Sequence, residues 1–599
     1  MLCALAGASG LARGQGYVCA EGGGSPTAAG WGAAVFGWMA QKGGFGDVVI
    51  LGYSGADNNA ANAFLNVGCA SATNVAVDWT NANDPALQAV IAGADIVWIR
   101  GGNQANYVLD WNNTLVEQAI VQVYQNGGVV GGTSAGCAVL SDVIYDSIAG
   151  SVLAREALRD PYHPFISFTD DFLDLTAGTF LDTHFTERGR IGRLAVFLAR
   201  QWKDQGRDLV GLGVDDRTAA CFSPDGTFEV LGEGAVTVLH RTSGSQQSIA
   251  AGQAPLFTEL RLTQLSEGYR YDVATRSVIQ RPASAIFPPP PSGHPTFSSS
   301  LLSGNDLGNT ALGDVQVLDQ GDSSALFYGK LQVVDGSDLL LRTVISTNVW
   351  ESTTWDENRV GGLQYALALQ PHFLGLYLDT DVVVEALPGG IVAVRPPSGP
   401  EAPAVILDSY DVTSLDFSTY VSSGQSVGPR QSVALEGTKL HLLPQGYAYD
   451  AVAHRPLLTF PVSYCTPKQN SQGCLPRIQA SGFASASGPG ALAIEAVQVI
   501  NGKAGLLFYG FAPSSLPFQG GTLCVEQPLK RTAVQSSGGN PPPDDCSGMY
   551  GMDFNAEIQS GSNPALIAGV KICAQYWYRD PASPSTTGLS DALAFDIGP

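Results

Sequence analysis

Apolar and polar positions alternate along this chain in two different rhythms. Up to about residue 235, short apolar runs such as Asp47–Leu51, Ile96–Ile99 and Gly128–Val130 end in glycine-containing turns. Between them lie stretches with helical spacing, Asn113 to Tyr124 among them. That rhythm predicts an α/β fold with a parallel sheet covered by helices, whose ligands sit at the carboxyl ends of the strands. From about Gly232 to Arg281 the pattern turns to strict alternation, as in Val236–Leu239, which predicts strands paired in hairpins. Pro288–Pro291 with serine-rich flanks reads as a linker. Beyond it, short strands and turns with little helix are expected to about 460. Leu506–Tyr509, Val570–Cys573 and Gln575–Tyr578 then predict a small all-β, sandwich-type domain. The expected parts are 15–285, a linker at 286–300, a β-rich domain at 301–460 and a C-terminal β-sandwich-like domain at 461–599.

An echo links two of these parts. Gly268-Tyr-Arg-Tyr-Asp272 returns as Gly446-Tyr-Ala-Tyr-Asp450, and each follows a Gln-Ser-(Ile or Val)-Ala tetrad, at Gln247 and Gln431. A degenerate partial duplication would produce this, and so would shared hairpin grammar.

Composition narrows the function. The 599 residues carry 31 Lys plus Arg against 54 Asp plus Glu, a net charge of -23, which repels a polyanion and excludes nucleic acid as partner. Only 14% of residues are charged, so the surface must be Gly, Ser, Thr, Asn and Gln, as suits an exported protein. No apolar run reaches the length of a membrane span. The opening residues 1–16 read either as the end of an export signal or as a disordered terminus. Cysteines fall in two groups, with none between Cys221 and Cys465. The late group, Cys465, Cys474, Cys524, Cys546 and Cys573, lacks metal-binding spacing and predicts one or two disulfides, with Cys465–Cys474 the first expectation and one thiol left over. A bacterial secreted or cell-envelope location follows.

The sharpest chemical signal is Gly132-Thr-Ser134-Ala-Gly136, a G-x-S-x-G run with an apolar strand before it and a helical pattern after it. Such a corner exposes the serine hydroxyl beside free backbone N–H groups and a helix N-terminus. The bland alternative is an ordinary helix-capping serine. A nucleophilic serine needs a base, and His163 or His184 is the simplest choice among seven histidines. His184 lies in a polar cluster with Asp182, Arg188 and Arg190; His163 sits between two prolines. The orienting acid comes from Leu209–Asp216, an apolar strand ending in two carboxylates; Asp216 is preferred, with Asp215 and then Glu156 as fallbacks. Arg100-Gly-Gly-Asn-Gln104 follows another strand, so its glycines can supply an oxyanion hole and Gln104 a substrate contact. A cysteine nucleophile at Cys137 is disfavoured, one turn past the corner. Neither H-E-x-x-H nor a P-loop occurs, so no metal or cofactor is called for.

Taken together, Gly101–Gln104, Gly132–Gly136, Asp182–Arg188 with Arg190–Leu194, and Gly211–Asp216 with Thr218-Ala219 resemble the motifs of cyanophycinase and its relatives, the S51 serine peptidases, over roughly residues 15 to 280. The resemblance implies a fold similar to class I glutamine amidotransferases (flavodoxin-like) and an acyl-enzyme mechanism with Ser134, His184 and Asp216. It also implies an oxyanion hole at Gly102 and Ala135 and substrate contacts at Gln104, Asp182, Thr183, Arg188 and Arg190. The implied substrate is a peptide or a cyanophycin-like polymer cleaved at aspartyl, isoaspartyl or β-Asp-Arg amides. Two positions depart from the pattern: Thr183 stands where a glutamine is common, and Asp216 where a glutamate is usual. The C-terminal segment resembles a module at the ends of exported proteins of myxobacteria and planctomycetes. The runner-up function is a non-catalytic envelope or adhesive protein built on a peptidase scaffold. The oligomeric state stays open, a dimer among the alternatives.

Overall fold

The computed structural model describes residues 16–297 and, with short gaps, 461–597. Between these it describes 300–303, 313–319, 331–335, 340–347, 359–379, 381–387, 389–395, 402–420, 430–445 and 447–457. Residues 1–15 and Gly446 of the repeated motif lie outside the described residues. The chain divides into two compact units, 1–386 with 397–444, and 387–396 with 445–599.

The first unit is built on a sheet with five adjacent parallel strands, in the order Tyr17–Glu21, Val129–Thr133, Ile96–Ile99, Asp47–Gly52 and Ser71–Ala76, the last at the edge. On the other side of Tyr17–Glu21, antiparallel strands Thr218–Phe222 and Thr227–Gly232 extend it. The inner strands are apolar on both sides because helices cover both faces. Val35, Phe36, Phe64 and Trp98 fill one core, while Leu51, Ile99, Trp111, Ile120 and Val130 fill the other. Sequence sets the helix starts. Asp57 and Asp84 cap theirs by accepting from the N–H of Ala60 and Ala86, and Pro85 follows at the first helical position. Gly206 ends the long helix Ile191–Gln205 in a left-handed conformation.

A second sheet starts with parallel strands Thr179–Thr183 and Val210–Val214. It continues antiparallel through Val236–Ser248 and Leu256–Leu265 to Arg430–Leu443, Ala404–Asp408 and Leu374–Leu378. The proline run is anchored: His372 Nε2 donates to the Pro289 carbonyl at 2.7 Å, and Ile286 bridges Leu415. The middle of the chain holds one helix among its described residues. Arg359–Leu369 is an eleven-residue helix, hidden in the sequence by Gly361-Gly362, which lower helix propensity.

The strands of the second unit pair antiparallel, and its described residues include one short helix at Phe554–Gln559. Strands Ala504–Gly510, Lys571–Arg579 and Thr587–Asp596 form one sheet, and Arg477–Gly482, Leu492–Val499 and Gly548–Asp553 another. Ile494, Tyr509, Tyr550 and Tyr576 belong to one apolar core shared by both. The Cys465–Cys474 bridge does not form. Cys465 pairs with Cys524, and Cys474 with Cys546. Asn470 closes the loop to Cys474 by accepting its N–H at 2.9 Å, and its amide Nδ2 lies 3.8 Å from Cys546 Sγ, so the loop presents Cys474 to the other strand system. Cys573 is the thiol left over, buried. No helix among the described residues is long and apolar enough to cross a membrane.

Candidate active site

Strands Tyr17–Glu21, Ile96–Ile99 and Val129–Thr133 end at one edge of the parallel sheet. There the chain turns sharply. Ser134 has φ 53 and ψ -115, a left-handed conformation that costs of order 1 kcal/mol or more for a serine. The glycines on either side make the turn sterically feasible. A Cβ on Gly132 would lie 2.4 Å from the Gly136 carbonyl oxygen, and one on Gly136 would lie 2.1 Å from that of Ile99. Ser134 is the N-cap of the short helix Ala135–Ala138, yet its side chain makes no capping bond. Its Oγ lies instead 2.7 Å from His184 Nε2.

His184 follows the Thr179–Thr183 strand and also has positive φ. Its backbone N–H donates to the Gly22 carbonyl at 3.0 Å. Its Nδ1 pairs closely with Asp216 Oδ1. With Nδ1–H donating to the carboxylate, Nε2 is left to accept from the Ser134 hydroxyl. Burial lowers the His184 pKa below the ordinary imidazole value, against the opposing pull of Asp216. The imidazole is therefore neutral at pH 7.

The two neighbouring acids separate by geometry. Asp215 is buried and turned into the protein, where it accepts the N–H of Thr186 at 2.9 Å and of Ala235 at 3.0 Å. Only Asp216 of the two faces the imidazole. Glu156 accepts from the Leu153 N–H at the start of its own helix. His163 caps a turn, accepting the Phe165 N–H at 3.3 Å. Cys137 is fully buried, and burial pushes its thiol pKa well up.

Ser134 and His184 open on a cleft of about 810 Å³, also lined by Gly102, Gln104, Ala135 and Arg188. Gln104 Nε2 donates to the Tyr145 carbonyl at 3.4 Å. Arg188 is half-buried, and desolvation lowers its pKa to about 10. Asp182, Thr183 and Arg190 reach the cleft but also bond to one another. Arg190 Nη1 donates to the Thr183 carbonyl at 2.6 Å and to Asp182 Oδ1 at 3.3 Å. Arg193 Nε donates to Asp182 Oδ2 at 2.8 Å. Burial acts to raise the Asp182 pKa, but the Arg193 and Arg190 guanidiniums outweigh it and hold the carboxyl ionised. The floor of the cleft is thus a buried carboxylate between two arginines.

Three contributors escaped the sequence reading. Arg193 is one. Glu21 is another: fully buried, it accepts the N–H of Gly23 at 3.0 Å and of Arg217 at 3.1 Å, and burial pushes its pKa well above the usual range. Gly23 is the third. A Cβ there would lie 2.2 Å from His184 Cε1 and 2.4 Å from Asp216 Oδ1. The signal was present as Glu21-Gly-Gly-Gly24 at the carboxyl end of the first strand.

Residues 57–222 match the family described as Peptidase family S51. A cyanophycinase of Synechococcus elongatus is 28% identical over 216 residues, 35% of this chain and 62% of that protein. A cyanophycinase of Trichormus variabilis is 29% identical over 197 residues, 32% of this chain and 62% of that protein. The chain thus spans about 62% of the length of these relatives. A solved peptidase from an acI-B1 Actinobacterium is 16% identical, with 44% of this chain and 98% of that one covered and a TM-score of 0.32.

Proposed function

We propose that this protein is a serine peptidase or isopeptidase that hydrolyses aspartyl, isoaspartyl or cyanophycin-type β-Asp-Arg amides through an acyl-enzyme. The observation that carries the reading is the continuous chain Ser134 Oγ, His184 Nε2, His184 Nδ1 and Asp216 Oδ1 at the mouth of the cleft. The S51 match at 57–222 and the cyanophycinase relatives support the same reaction class.

Ser134 Oγ attacks the amide carbonyl carbon while His184 Nε2 takes its proton. Asp216 holds Nδ1–H, keeps the ring in the productive tautomer and stabilises the imidazolium as it forms. The N–H groups of Gly102 and Ala135 take the tetrahedral oxyanion, a contribution of several kcal/mol in a water-poor site. The proton on Nε2 passes to the leaving amine. Water, deprotonated by the same nitrogen, then releases the acid and restores Ser134.

Arg188 is the side chain in this reading that meets the acidic group of the substrate, and Gln104 lines the same cleft. Asp182, Thr183 and Arg190 shape the floor. The class I glutamine amidotransferase-like type of the first domain belongs to this reading, supported by the five parallel strands ending at the elbow. So does export, supported by two disulfides in the second unit.

A hydrolysis screen with cyanophycin, β-Asp-Arg and isoaspartyl dipeptides tests the function. Turnover is expected on at least one, with KM raised or turnover abolished by Arg188→Ala. Efficient cleavage of neutral peptides, indifferent to Arg188→Ala, would overturn the acidic-substrate reading.

A further inference from the structure

The repeated Gly-Tyr-x-Tyr-Asp motif is the visible end of a longer correspondence in strand pairing. Asp272 ends one motif and accepts the N–H groups of Ala274 and Thr275; Asp450 ends the other and accepts those of Val452 and Ala453. Both turns close hairpins with the same register at the turn, Asp272 opposite Ser277 and Asp450 opposite Arg455, and the first alone has a bulge at Arg270/Tyr271. Each hairpin pairs with an earlier strand at the same point, Thr227 opposite Asp272 and Ile391 opposite Asp450.

The agreement continues upstream without a slip. Thr179–Thr183 runs parallel to Val210–Val214 with Thr183 opposite Val214; Leu340–Thr347 and Leu374–Leu378 repeat this, with Thr343 opposite Leu374 and Thr347 opposite Leu378. A helix joins each parallel pair, Ile191–Gln205 in one case and Arg359–Leu369 in the other. Gly211 opposes Leu239, and Gly375 opposes Leu407. Val236 opposes Leu265, and Ala404 opposes Leu443. Even the first strand has its counterpart, Val18 opposite Phe222 and Ser300 opposite Ala386. A one-residue slip would turn every side chain to the wrong face, so a shared register across so many pairs is not shared hairpin grammar.

The contact between the two sets is itself two-fold. Strand Leu256–Leu265 pairs antiparallel with Arg430–Leu443. Under the correspondence above, Leu260 matches Thr438 and Leu262 matches Leu440. Leu260 opposes Leu440 while Leu262 opposes Thr438, Phe257 opposes Leu442 while Gln264 opposes Leu435, and Arg261 and Lys439 oppose each other at the centre. In these pairs each residue meets the counterpart of its partner, as in the interface of a symmetric dimer.

The second set has lost the site. Residues 304–342 stand where the first set has 22–178. Where the first set has Asp182 and Asp216, the matching positions are Ser346 and Thr380. Asp215 is kept as Asp379, with a new partner. Arg155 donates to both of its oxygens, from Nε at 2.8 Å and Nη2 at 2.7 Å, and the Asp379 side chain is wholly buried. Arg159 of the same helix pairs with Asp381. That helix, Ala154–Arg159, directly follows the cleft-lining Tyr145, Ser147 and Ser151.

We propose that residues 300–457 are a reduced second copy of the fold spanning 17–280, that strand Arg430–Leu443 of this copy pairs with Leu256–Leu265 of the first as a second subunit's strand would, and that Asp379 of this built-in partner is a positioning residue that fixes the cleft wall through Arg155. The chain then needs no second molecule to cover the Leu256–Leu265 edge. Only the kinetic part of the test rests on the proposed hydrolysis.

The full-length chain should have the solution mass of one molecule, 62.5 kDa. Asp379→Asn, and the milder Arg155→Gln, should speed hydrogen exchange over 144–159 and leave 47–52 unchanged. On a cleaved aspartyl substrate both should raise KM about tenfold with kcat within about twofold, and the exchanged pair Arg155→Asp with Asp379→Arg should recover most of it. A stable two-chain assembly would overturn the built-in partner. Unchanged exchange over 144–159 in both single variants would overturn the positioning role. A wild-type chain that cleaves none of the amides would refute the hydrolytic function instead, and would leave the mass and exchange results to decide this proposal.

Discussion

Gly23→Ala adds one methyl group at the most crowded point of the site. Gly23 has φ +151, and its Cβ would stand 2.2 Å from His184 Cε1, 2.4 Å from His184 Nδ1 and 2.4 Å from Asp216 Oδ1. Carbon atoms in contact sit at about 3.5–4.0 Å, so the imidazole must retreat by more than about 1 Å. That movement breaks the 2.7 Å approach to Ser134 Oγ. A misplacement of about 1 Å costs roughly 100-fold in rate, and loss of the carboxylate partner as well would bring the cost toward about 10⁴. Gly24→Ala is the control. Its φ is +103, so it carries backbone strain too, but its Cβ would meet the flexible Arg217 side chain at 2.9 Å and not the imidazole. The assay is the rate of fluorophosphonate labelling at Ser134, followed by mass spectrometry, beside thermal melts of both variants. Gly23→Ala should label at least about 100-fold more slowly than Gly24→Ala. Labelling of Gly23→Ala within about twofold of wild type would refute the reasoning.

Three further outcomes follow from the site. Asp216→Asn should lower turnover by about 10⁴ with the melting temperature nearly unchanged, whereas Asp215→Asn should cost about 1–3 kcal/mol of stability by weakening two buried backbone bonds; a denaturant titration of each variant separates them. The depressed His184 pKa puts the acid limb of the kcat/KM profile below the ordinary imidazole value of 6.5. The same depression contributes stability that is complete above the unfolded value and is lost as pH falls through the folded one, so a limb at or above 6.5 would contradict the burial argument. Arg193→Ala leaves Asp182 with Arg190 alone in a buried site and should destabilise the first unit by about 3–5 kcal/mol, read as an early transition in calorimetry.

Local residue order by itself determined the nucleophilic corner. A β-rich run, two glycines flanking a serine and a helical pattern leave few other backbone paths, so Ser134 was legible from neighbours alone. The parallel strands were legible for the same reason, because apolar runs bounded by glycine turns carry their own period. Tertiary structure decided everything that joins distant segments. Asp215 and Asp216 look alike in sequence; only the Thr186 and Ala235 N–H groups, drawn in from other strands, turn Asp215 inward and leave Asp216 for the imidazole. Arg190 reads as a free cation until Asp182 and the Thr183 carbonyl fold against it. The cysteine pairing went to partners far along the chain because the loop at Asn470 faces Cys546, a direction that spacing does not encode. The proposed second copy showed its origin in the sequence only as short motifs such as Gly-Tyr-x-Tyr-Asp, since side chains drift while the strand register, held by backbone hydrogen bonds common to all residues, does not.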